Sequence, residues 1–180
     1  MATFFIADTH FGHENIIRLS CRPFTSLDEM NDAMLRNWNA RVKNSDDIYI
    51  VGDLWYRGVY EGALQTIKQL KGKKHLIIGN HDRKYLKNAE YADLFAETAD
   101  ILDLSCDGKR IILCHYPLAE WNAFFRGSFH VYGHIHNDRG AAFQYMKTLD
   151  RALNAGADIN YFIPVTLDEL IQYNSFFKNQ

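Results

Sequence analysis

The sequence of 180 residues has few cysteines and no excess of basic charge. The three cysteines, Cys21, Cys106 and Cys114, are odd in number and include no Cys-x-x-Cys pair, which argues against a disulfide framework and against a thiolate zinc site. Because 20 basic residues face 22 acidic ones, the composition gives no strong signal for binding nucleic acid or an anionic membrane. Long polyanions are therefore not favoured as partners, and a reducing compartment is expected.

Long apolar runs and linker-like segments are missing as well. No stretch approaches the roughly 20 residues of a membrane-spanning helix, and the N-terminus lacks the basic start and apolar core of a signal peptide. We therefore expect a cytoplasmic protein. With only three prolines and 47% hydrophobic residues, the chain suits one compact domain over residues 1–180.

Five short apolar runs predict buried β-strands. They are too short for helices and rich in Ile, Val, Phe and Tyr, as is typical of strands buried on both faces. The runs are Thr3 to Ala7, Ile48 to Val51, His75 to Ile78, Ile111 to Cys114 and Phe129 to Tyr132. Strand and helix patterns alternate over the first half of the chain, which favours βαβ units and a largely parallel sheet.

Helical patterns lie between these runs. Two capping boxes, Ser26 to Glu29 and Thr166 to Glu169, predict helix starts. The first of these helices would bury Met30, Met34, Leu35 and Trp38. Tyr60 to Leu70 and Lys84 to Phe95 are weaker helix candidates.

The second half of the chain is denser in strand patterns. Ile101 to Ser105 and Arg110 to Cys114 flank the segment Cys106-Asp107-Gly108-Lys109, which is typical of a hairpin turn. The expected fold is therefore α/β with additional antiparallel strands.

Polar side chains follow all five apolar runs. Asp53, Asn80 and His134 each come directly after a glycine, which permits a tight turn and close backbone approach to a ligand. Because open α/β sheets place ligand sites beyond the carboxyl ends of their strands, residues far apart in sequence can converge there. The candidates are Asp8, His10, Asp53, Asn80, His81, His115, His134 and His136.

These side chains form a mixed oxygen and nitrogen donor set without cysteine. Such donors suit borderline divalent metals such as manganese, iron or zinc. Seven candidate ligands remain when His81 is set aside, which is more than one ion needs if a position stays open for substrate. Two ions that share one ligand fit the set better, and a carboxylate with two oxygens is the natural bridge.

Each candidate also has an ordinary structural interpretation. A single histidine at a strand end is often a polar cap, and we prefer this interpretation for His75 and His130. Asp8 or Asp53 alone would pass as a turn residue or a helix N-cap, and the others as turn or surface residues. The metal hypothesis therefore depends on all five strand ends taken together.

The ordered motifs resemble those of the calcineurin-like metallophosphoesterase superfamily. They are Asp8-x-His10, Gly52-Asp53, Gly79-Asn80-His81-Asp82, a strand-end His115 and Gly133-His134-x-His136. The match extends from residue 8 to residue 136, and the combination is highly specific although each piece is weak. The N-terminal stretch DTHFGHENII and the segment Leu153 to Asp158 resemble the corresponding segments of the small bacterial and phage members of this superfamily.

The resemblance implies a four-layer αββα sandwich with two mixed β-sheets and a dinuclear metal centre at one edge. It assigns one divalent ion to Asp8, His10, Asp53 and His136, and the other to Asp53, Asn80, His115 and His134. Manganese is the ion that we expect, with iron, zinc, nickel or cobalt as alternatives. In this superfamily the histidine after the asparagine ligand, here His81, is not a ligand and lies near the leaving group.

The implied reaction is hydrolysis of a phosphodiester or phosphomonoester of a small or nucleotide-like substrate. Two metal ions bind the phosphate and activate a hydroxide that attacks phosphorus in line. The leaving oxygen needs a proton, and an imidazole that titrates near neutrality is suited to supply it. We expect this role of His81.

Four further residues are candidates for substrate contacts. Arg57 lies in a GDxxxRG stretch similar to that of the protein phosphatase and diadenosine tetraphosphatase branches, where the arginine grips phosphate. Tyr56 stands where the protein phosphatases have an aspartate that orients the catalytic histidine. Arg83, Tyr116 and His13 lie close in sequence to the proposed ligands. A surface or packing role is the alternative for each of the four.

Two other classes of function remain as alternatives, a noncatalytic protein-binding scaffold on the same fold and a nuclease. The presence of all seven ligands and of His81 argues against the scaffold. The composition shows no basic groove, which argues against the nuclease. The oligomeric state stays open.

Overall fold

The computed structural model describes residues 1–56 and 60–180. The first of two four-stranded sheets consists of β1 (Thr3–Ile6), β2 (Asp47–Ile50), β3 (Lys73–Ile77) and β4 (Glu97–Ala99). These strands lie in sequence order and all pair in parallel. Their carboxyl ends therefore lie at the same edge of the sheet.

The second sheet consists of β5 (Ile101–Cys106), β6 (Lys109–Cys114), β7 (Phe129–Tyr132) and β8 (Ala152–Asn154). The pairing of β5 with β6 is antiparallel and closes the predicted hairpin, whereas β6, β7 and β8 are parallel. The second sheet therefore contains both antiparallel and parallel pairs, as expected of a mixed sheet. In the first sheet the antiparallel character is limited, over the described residues, to a bridge between Phe5 and Val165.

Six α-helices connect and cover the strands in the described ranges. They are α1 (Glu14–Leu19), α2 (Leu27–Arg41), α3 (Tyr60–Gln69), α4 (Ala89–Ala92), α5 (Ala141–Met146) and α6 (Leu167–Lys178). None of them is long and apolar enough to cross a membrane. Two single turns of 3₁₀ helix, Phe124–Arg126 and Ala157–Ile159, complete the set.

Three hydrophobic clusters define the four layers. The outer face of the first sheet packs on α2 and α3 in one cluster, which includes Ile48 of β2, Met30 and Trp38 of α2, and Ile67 of α3. The inner faces of the two sheets pack on each other and are closed at one side by α6. The outer face of the second sheet packs on α5 through Met146. This α/β arrangement of two four-stranded sheets confirms the αββα sandwich.

The helix starts follow the predicted caps with one variation. Thr166 and Glu169 form a complete capping box. At the start of α2, Ser26 accepts the backbone N–H of Glu29, but the Glu29 carboxylate accepts hydrogen bonds from the backbone and hydroxyl of Thr25 instead of from Ser26. The cap is thus shared between two residues that precede the helix.

The predicted helix over Lys84 to Phe95 is wrong in length. The chain forms turns up to Asn88 and only α4 is helical. The turns carry Tyr85 into the core beside Tyr91, and Asn88 caps α4 by accepting the N–H of Glu90. Packing of these aromatic rings therefore overrides the helical pattern.

His75 and His130 lie away from the candidate ligands, and both nitrogens of each ring have hydrogen-bond partners within the fold. The two ring nitrogens of His75 lie 2.7 Å from the carboxylates of Asp47 and Glu97. His130 is fully buried, with Nδ1 3.0 Å from the Ile112 carbonyl and Nε2 accepting the backbone N–H of Leu118. The Nε2 of His130 must lack a proton to accept this bond, so the buried ring is neutral.

Burial lowers the pKa of His130 from 6.5 to about 4, and this shift predicts a pH dependence of stability. Below pH 6.5 His130 is protonated in the unfolded chain, whereas in the folded chain it stays neutral until about pH 4. The free energy of unfolding therefore falls as the pH drops from 6.5 to 4. At pH 5 this one group lowers the free energy of unfolding by about 2 kcal/mol relative to pH 7. His130→Gln should reduce the pH 7 to pH 5 difference by that amount.

Urea unfolding of both proteins in excess chelator at the two pH values measures the effect. The chelator removes the contribution of metal release, and every other titrating group is common to the two proteins. If the free energy of unfolding changes equally between pH 7 and pH 5 in wild type and in His130→Gln, the pKa of His130 is not lowered by folding.

Candidate metal centre

The polar residues predicted to form one site follow the carboxyl ends of strands from both sheets. Asp8 and His10 follow β1, Asp53 follows β2, and Asn80 follows β3. From the second sheet, His115 follows β6, while His134 and His136 follow β7. A hydrogen bond joins the two sheets here, because the backbone N–H of His134 donates to the Asp8 carboxylate at 2.8 Å.

The loops that carry these residues have unusual backbone conformations. Five of the candidate ligands have positive φ angles between 50° and 72°, namely Asp8, His10, Asp53, His134 and His136. Asp and His tolerate this left-handed region better than most residues, yet it is uncommon and clusters at functional sites. The turns point successive polar side chains into one space instead of alternating them across a strand.

Three of the side chains form a first cluster, which we call the His10 group: Asp8, His10 and His136. Their donor atoms all lie within 4.8 Å of one another. The two Nε2 atoms of His10 and His136 are 3.2 Å apart. A cation placed among these lone pairs would replace the close approach of two nitrogens with two metal bonds.

Three others form a second cluster, which we call the His115 group: Asn80, His115 and His134. The Oδ1 atom of Asn80 lies 3.1 Å from His115 Nε2 and 3.1 Å from His134 Nδ1. Asp8, Asp53 and His115 also offer donor atoms within 4.8 Å of one another. The two groups are therefore adjacent.

Asp53 lies between the two groups. Its Oδ2 atom is 3.6 Å from His10 Nε2 and 3.5 Å from His115 Nε2. Its other oxygen accepts the backbone N–H of His81 at 3.0 Å. The position between both histidine sets is the one required of a bridging carboxylate.

Backbone carbonyls and carboxylates hold two of the histidines in one tautomer. His115 Nδ1 is 2.9 Å from the Val51 carbonyl, and His136 Nδ1 is 2.8 Å from the Asp158 carboxylate. In both rings Nδ1 must carry the proton, which leaves the lone pair of Nε2 for a metal ion.

Charge and burial at the site also fit a cation. Burial raises the pKa of Asp8 to about 6, against the opposing charges of His136 and His115. Burial lowers the pKa of His10 well below its usual range, and His10 Nδ1 is buried without a hydrogen-bond partner in the described part of the chain. A divalent ion offsets the cost of a buried carboxylate and binds neutral imidazole, so these residues fit the metal that the motifs imply.

Asp82 is a site residue whose role the sequence analysis missed. The carboxylate is completely buried and accepts backbone N–H bonds from Gly79, Asp53 and Leu54. Burial raises its pKa to about 6, with Asp53 adding to the shift and the N–H bonds opposing it. Asp82 thus ties the loop after β2 to the loop after β3. Its position in the GNHD motif was the available signal.

Asp158 and Arg22 were also missed as site residues. Burial would raise the pKa of Asp158, but the hydrogen bond from His136 and the charge of Arg22 lower it below its usual value. Burial lowers the pKa of His136. The hydrogen bond to Asp158 and the negative charge of Asp8 together outweigh this effect, so the pKa of the ring is raised overall. Asp158 ends the segment resembling small phage and bacterial members, which gave a hint, whereas no pattern indicated Arg22.

A cleft of about 570 Å³ opens over the two groups. His81 lines it with its side chain one third exposed and its Nε2 atom 3.8 Å from Asp53 Oδ2. His13 also lines the cleft and stacks on Tyr56 with 3.6 Å between ring centroids, and the Tyr56 ring meets His81 edge-on. The Tyr56 ring therefore packs against both His13 and His81 at the cleft.

The remaining substrate candidates fare differently. Arg83 is not among the residues that line the cleft and pairs with Asp100 on the surface, so its contact with substrate stays a prediction. The exposed ring of Tyr116 contacts His134 with 4.7 Å between centroids, so it stays beside the His115 group. Arg57 lies outside the described residues.

This architecture, two sheets with Asp and His donors gathered at their common edge, is that of a metallophosphoesterase. The family model described as "Calcineurin-like phosphoesterase" matches residues 1–159. The chain belongs to this family, which uses divalent metals.

Individual relatives are similar to this chain over most of its length. An uncharacterized protein of Methanocaldococcus jannaschii, MJ1445, is 28% identical over 94% of this chain and 89% of its own length. The gene 66 protein of Mycobacterium phage L5 is 26% identical over 75% of this chain and 77% of its own. The crystal structure of AQ665 from Aquifex aeolicus, of unknown function, is 30% identical with a TM-score of 0.73, covering 94% and 97% of the two chains.

A more distant structure shares the fold. An archaeal phosphodiesterase matches with a TM-score of 0.50 and 16% identity, over 87% of this chain and 82% of its own.

The close packing at Gly79 yields a testable prediction. A Cβ atom there would lie 2.2 Å from Asp53 Oδ1 and 2.6 Å from the Asp53 backbone nitrogen. Gly79→Ala must therefore move Asp53, and overpacking of this kind costs about 1 to 3 kcal/mol. We expect lower stability in urea unfolding and weaker Mn²⁺ binding by titration calorimetry.

Gly62→Ala is the matched control. A Cβ at Gly62, in α3, meets Trp55 at an ordinary 3.6 Å, and alanine is the better helix former by about 1 kcal/mol. This variant should keep or gain stability and bind Mn²⁺ as the wild type does. Unchanged Mn²⁺ affinity in Gly79→Ala would contradict the packing of Gly79 against Asp53.

Proposed function

We propose that this protein is a dinuclear metal-dependent phosphoesterase that hydrolyses a phosphodiester or phosphomonoester of a small or nucleotide-like substrate. The observation that carries the proposal is the placement of Asp53 between the His10 group and the His115 group. With Asp53 shared, each group has four donors. That number leaves coordination positions for a substrate oxygen and for water.

The proposed site assigns a task to each part of the chain. The His10 group and Asp53 would hold one divalent ion, and the His115 group and Asp53 the other. Manganese is the expected ion for this oxygen and imidazole set, with iron, zinc, nickel and cobalt as alternatives. Bound divalent ions supply Lewis acidity, which activates water and neutralises charge that develops on a phosphate.

His81 is proposed as the group that gives a proton to the leaving oxygen. It lines the cleft and its ring is partly exposed, so a substrate can reach Nε2. Its backbone N–H donates to Asp53 Oδ1, which fixes His81 relative to the bridging carboxylate. The Tyr56 ring, 4.6 Å away between centroids, limits rotation of the imidazole. This geometry supports the proposal of His81 as a general acid beside the phosphate position.

The cleft supports a small substrate. A volume of about 570 Å³ lies in the range of pockets for drug-sized ligands and nucleotides. His13 and Tyr56 offer aromatic rings on one wall, and Ile16 and Leu19 of α1 offer apolar surface. His13 is thus proposed to contact the leaving group, and Tyr116 remains a proposed contact on the side of His134. A diester substrate for this protein is compatible with the shared fold of the archaeal phosphodiesterase.

Two substitutions separate metal binding from acid catalysis. Asp53→Asn removes the charge that both ions share, so both metal content and activity should fall, the latter by at least about 100-fold. His81→Ala should keep two ions per chain and lose about 10² to 10⁴-fold in turnover, because only the proton donor is removed. Elemental analysis and hydrolysis of bis-p-nitrophenyl phosphate in excess Mn²⁺ measure the two effects.

The control is Asp103→Asn, which removes an equal charge from the exposed β5–β6 hairpin, where Asp103 pairs with Arg110. This variant should retain both metal and turnover. An empty His81→Ala protein would overturn the assignment of His81 as a residue that is not a ligand. Full turnover in His81→Ala would overturn its role as the acid.

Metal removal tests the proposal as a whole. Dialysis against a chelator should abolish hydrolysis of bis-p-nitrophenyl phosphate and p-nitrophenyl phosphate, and Mn²⁺ should restore it at two ions per chain. No hydrolysis with Mn²⁺, Ni²⁺, Fe²⁺, Co²⁺ or Zn²⁺ from neutral to alkaline pH would favour the scaffold alternative. Tight, salt-sensitive DNA binding would instead favour the nuclease.

A further inference from the structure

Arg22 forms a buried ion pair behind the His10 group. The guanidinium side chain is completely buried and donates from Nε to Asp158 Oδ1 at 2.8 Å and from Nη2 to Asp158 Oδ2 at 3.1 Å. Such a two-pronged contact fixes the plane of the carboxylate as well as its position.

The carboxylate held in this way sets the orientation of His136. Asp158 Oδ2 accepts the Nδ1 proton of His136 at 2.8 Å, which directs His136 Nε2 toward His10 Nε2. The backbone of His136 is held by a separate contact, because its carbonyl accepts a hydrogen bond from Asn154 Nδ2 at 2.8 Å. Removing Asp158 would therefore release the ring without releasing the chain.

The same guanidinium also holds the loop after β1. Arg22 Nη2 donates to the Asp8 carbonyl at 2.7 Å, and Nη1 donates to the Thr9 carbonyl at 2.8 Å. These carbonyls flank the left-handed turn that brings Asp8 and His10 to the site. One buried pair thus acts on all three members of the His10 group.

The His115 group is held by other contacts. His115 is oriented by the Val51 carbonyl, and His134 by its backbone bond to Asp8 and by Asn80. The support of the two proposed ions is therefore unequal, because the charged pair contacts His136 and the Asp8 backbone of the His10 group directly, whereas His115 is held by a backbone carbonyl.

We propose that Arg22 and Asp158 are positioning residues for the ion of the His10 group. The inference rests on the proposed function, in that it assumes two divalent ions. A buried ion pair gives little or no stability compared with apolar residues of similar volume. The effect of this pair is the direction that it gives to His136 and to the loop from Asp8 to His10.

The first test is Mn²⁺ binding by Asp158→Asn, measured by titration calorimetry on the chelator-treated protein. We expect one of two ions to bind 10 to 100-fold more weakly, the usual loss when a group that orients a metal-binding histidine is changed. The other ion should change by less than about 3-fold. Asp168→Asn, which removes a charge from an exposed position of α6, should leave both affinities unchanged.

A second readout is the tautomer of His136, followed by ¹⁵N NMR of histidine-labelled, metal-free protein at pH 8. In wild type the spectrum should show His136 protonated at Nδ1. In Asp158→Asn the ring should become a mixture of both tautomers, whereas His115 should keep the Nδ1 form through Val51.

A double variant separates positioning from stability. Arg22→Met combined with Asp158→Leu removes both charges together, so no unpaired charge stays buried. The carbonyls of Asp8 and Thr9 lose their bonds from Arg22, so stability should fall, and metal binding is compared under conditions in which urea unfolding shows the variant to be folded. If the pair positions the ligands, the double variant still loses 10 to 100-fold in affinity for one ion. If the double variant or Asp158→Asn binds both ions as tightly as wild type, the pair is only structural and the inference is overturned.

The proposed function fails in a different way. Wild-type protein that binds fewer than two Mn²⁺ ions would contradict the dinuclear site itself. Wild-type protein with two ions and active hydrolysis, together with unchanged binding in the variants, contradicts the positioning role alone.

Discussion

The Asp53 carboxylate is the contact on which the site depends, because one of its oxygens lies 3.6 Å from His10 Nε2 and 3.5 Å from His115 Nε2. The parallel pairing of β1, β2 and β3 brings the loops after these strands to one edge. Asp82, buried behind them, accepts N–H bonds from Gly79 and Asp53 and so holds Asp53 in place. A buried carboxylate accepting three backbone N–H groups can hold two loops together without a regular ladder.

The surroundings of the two groups differ in their physical nature. His115 is oriented by a neutral backbone carbonyl, whereas His136 is oriented by a carboxylate that Arg22 neutralises. A carboxylate partner makes imidazole a stronger donor than a carbonyl partner does. Two sites built from similar ligands can thereby differ in affinity.

The strand ends and their polar residues could be predicted from the sequence because each depends on local pattern. Short β-branched runs identified the strands, and the carboxyl-end rule placed Asp8, Asn80 and His134 at one edge. The length of α4 could not be predicted, because the burial of Tyr85 and Tyr91 overrides local helical preference. Nor could the surface pairing of Arg83 with Asp100, since it joins two loops 17 residues apart.

By itself the sequence determined the αββα class, the residues that gather at the candidate metal centre and the family, because motif order and strand pattern are local properties. Tertiary structure alone decided how those residues are held. Arg22 and Asp158 are separated by 136 positions, and the segment that carries Asp158 is brought to this end of the fold where Gly156 pairs with Ala7, directly after β1. Contacts of that range leave no periodic trace in a sequence, since they follow from packing of whole layers.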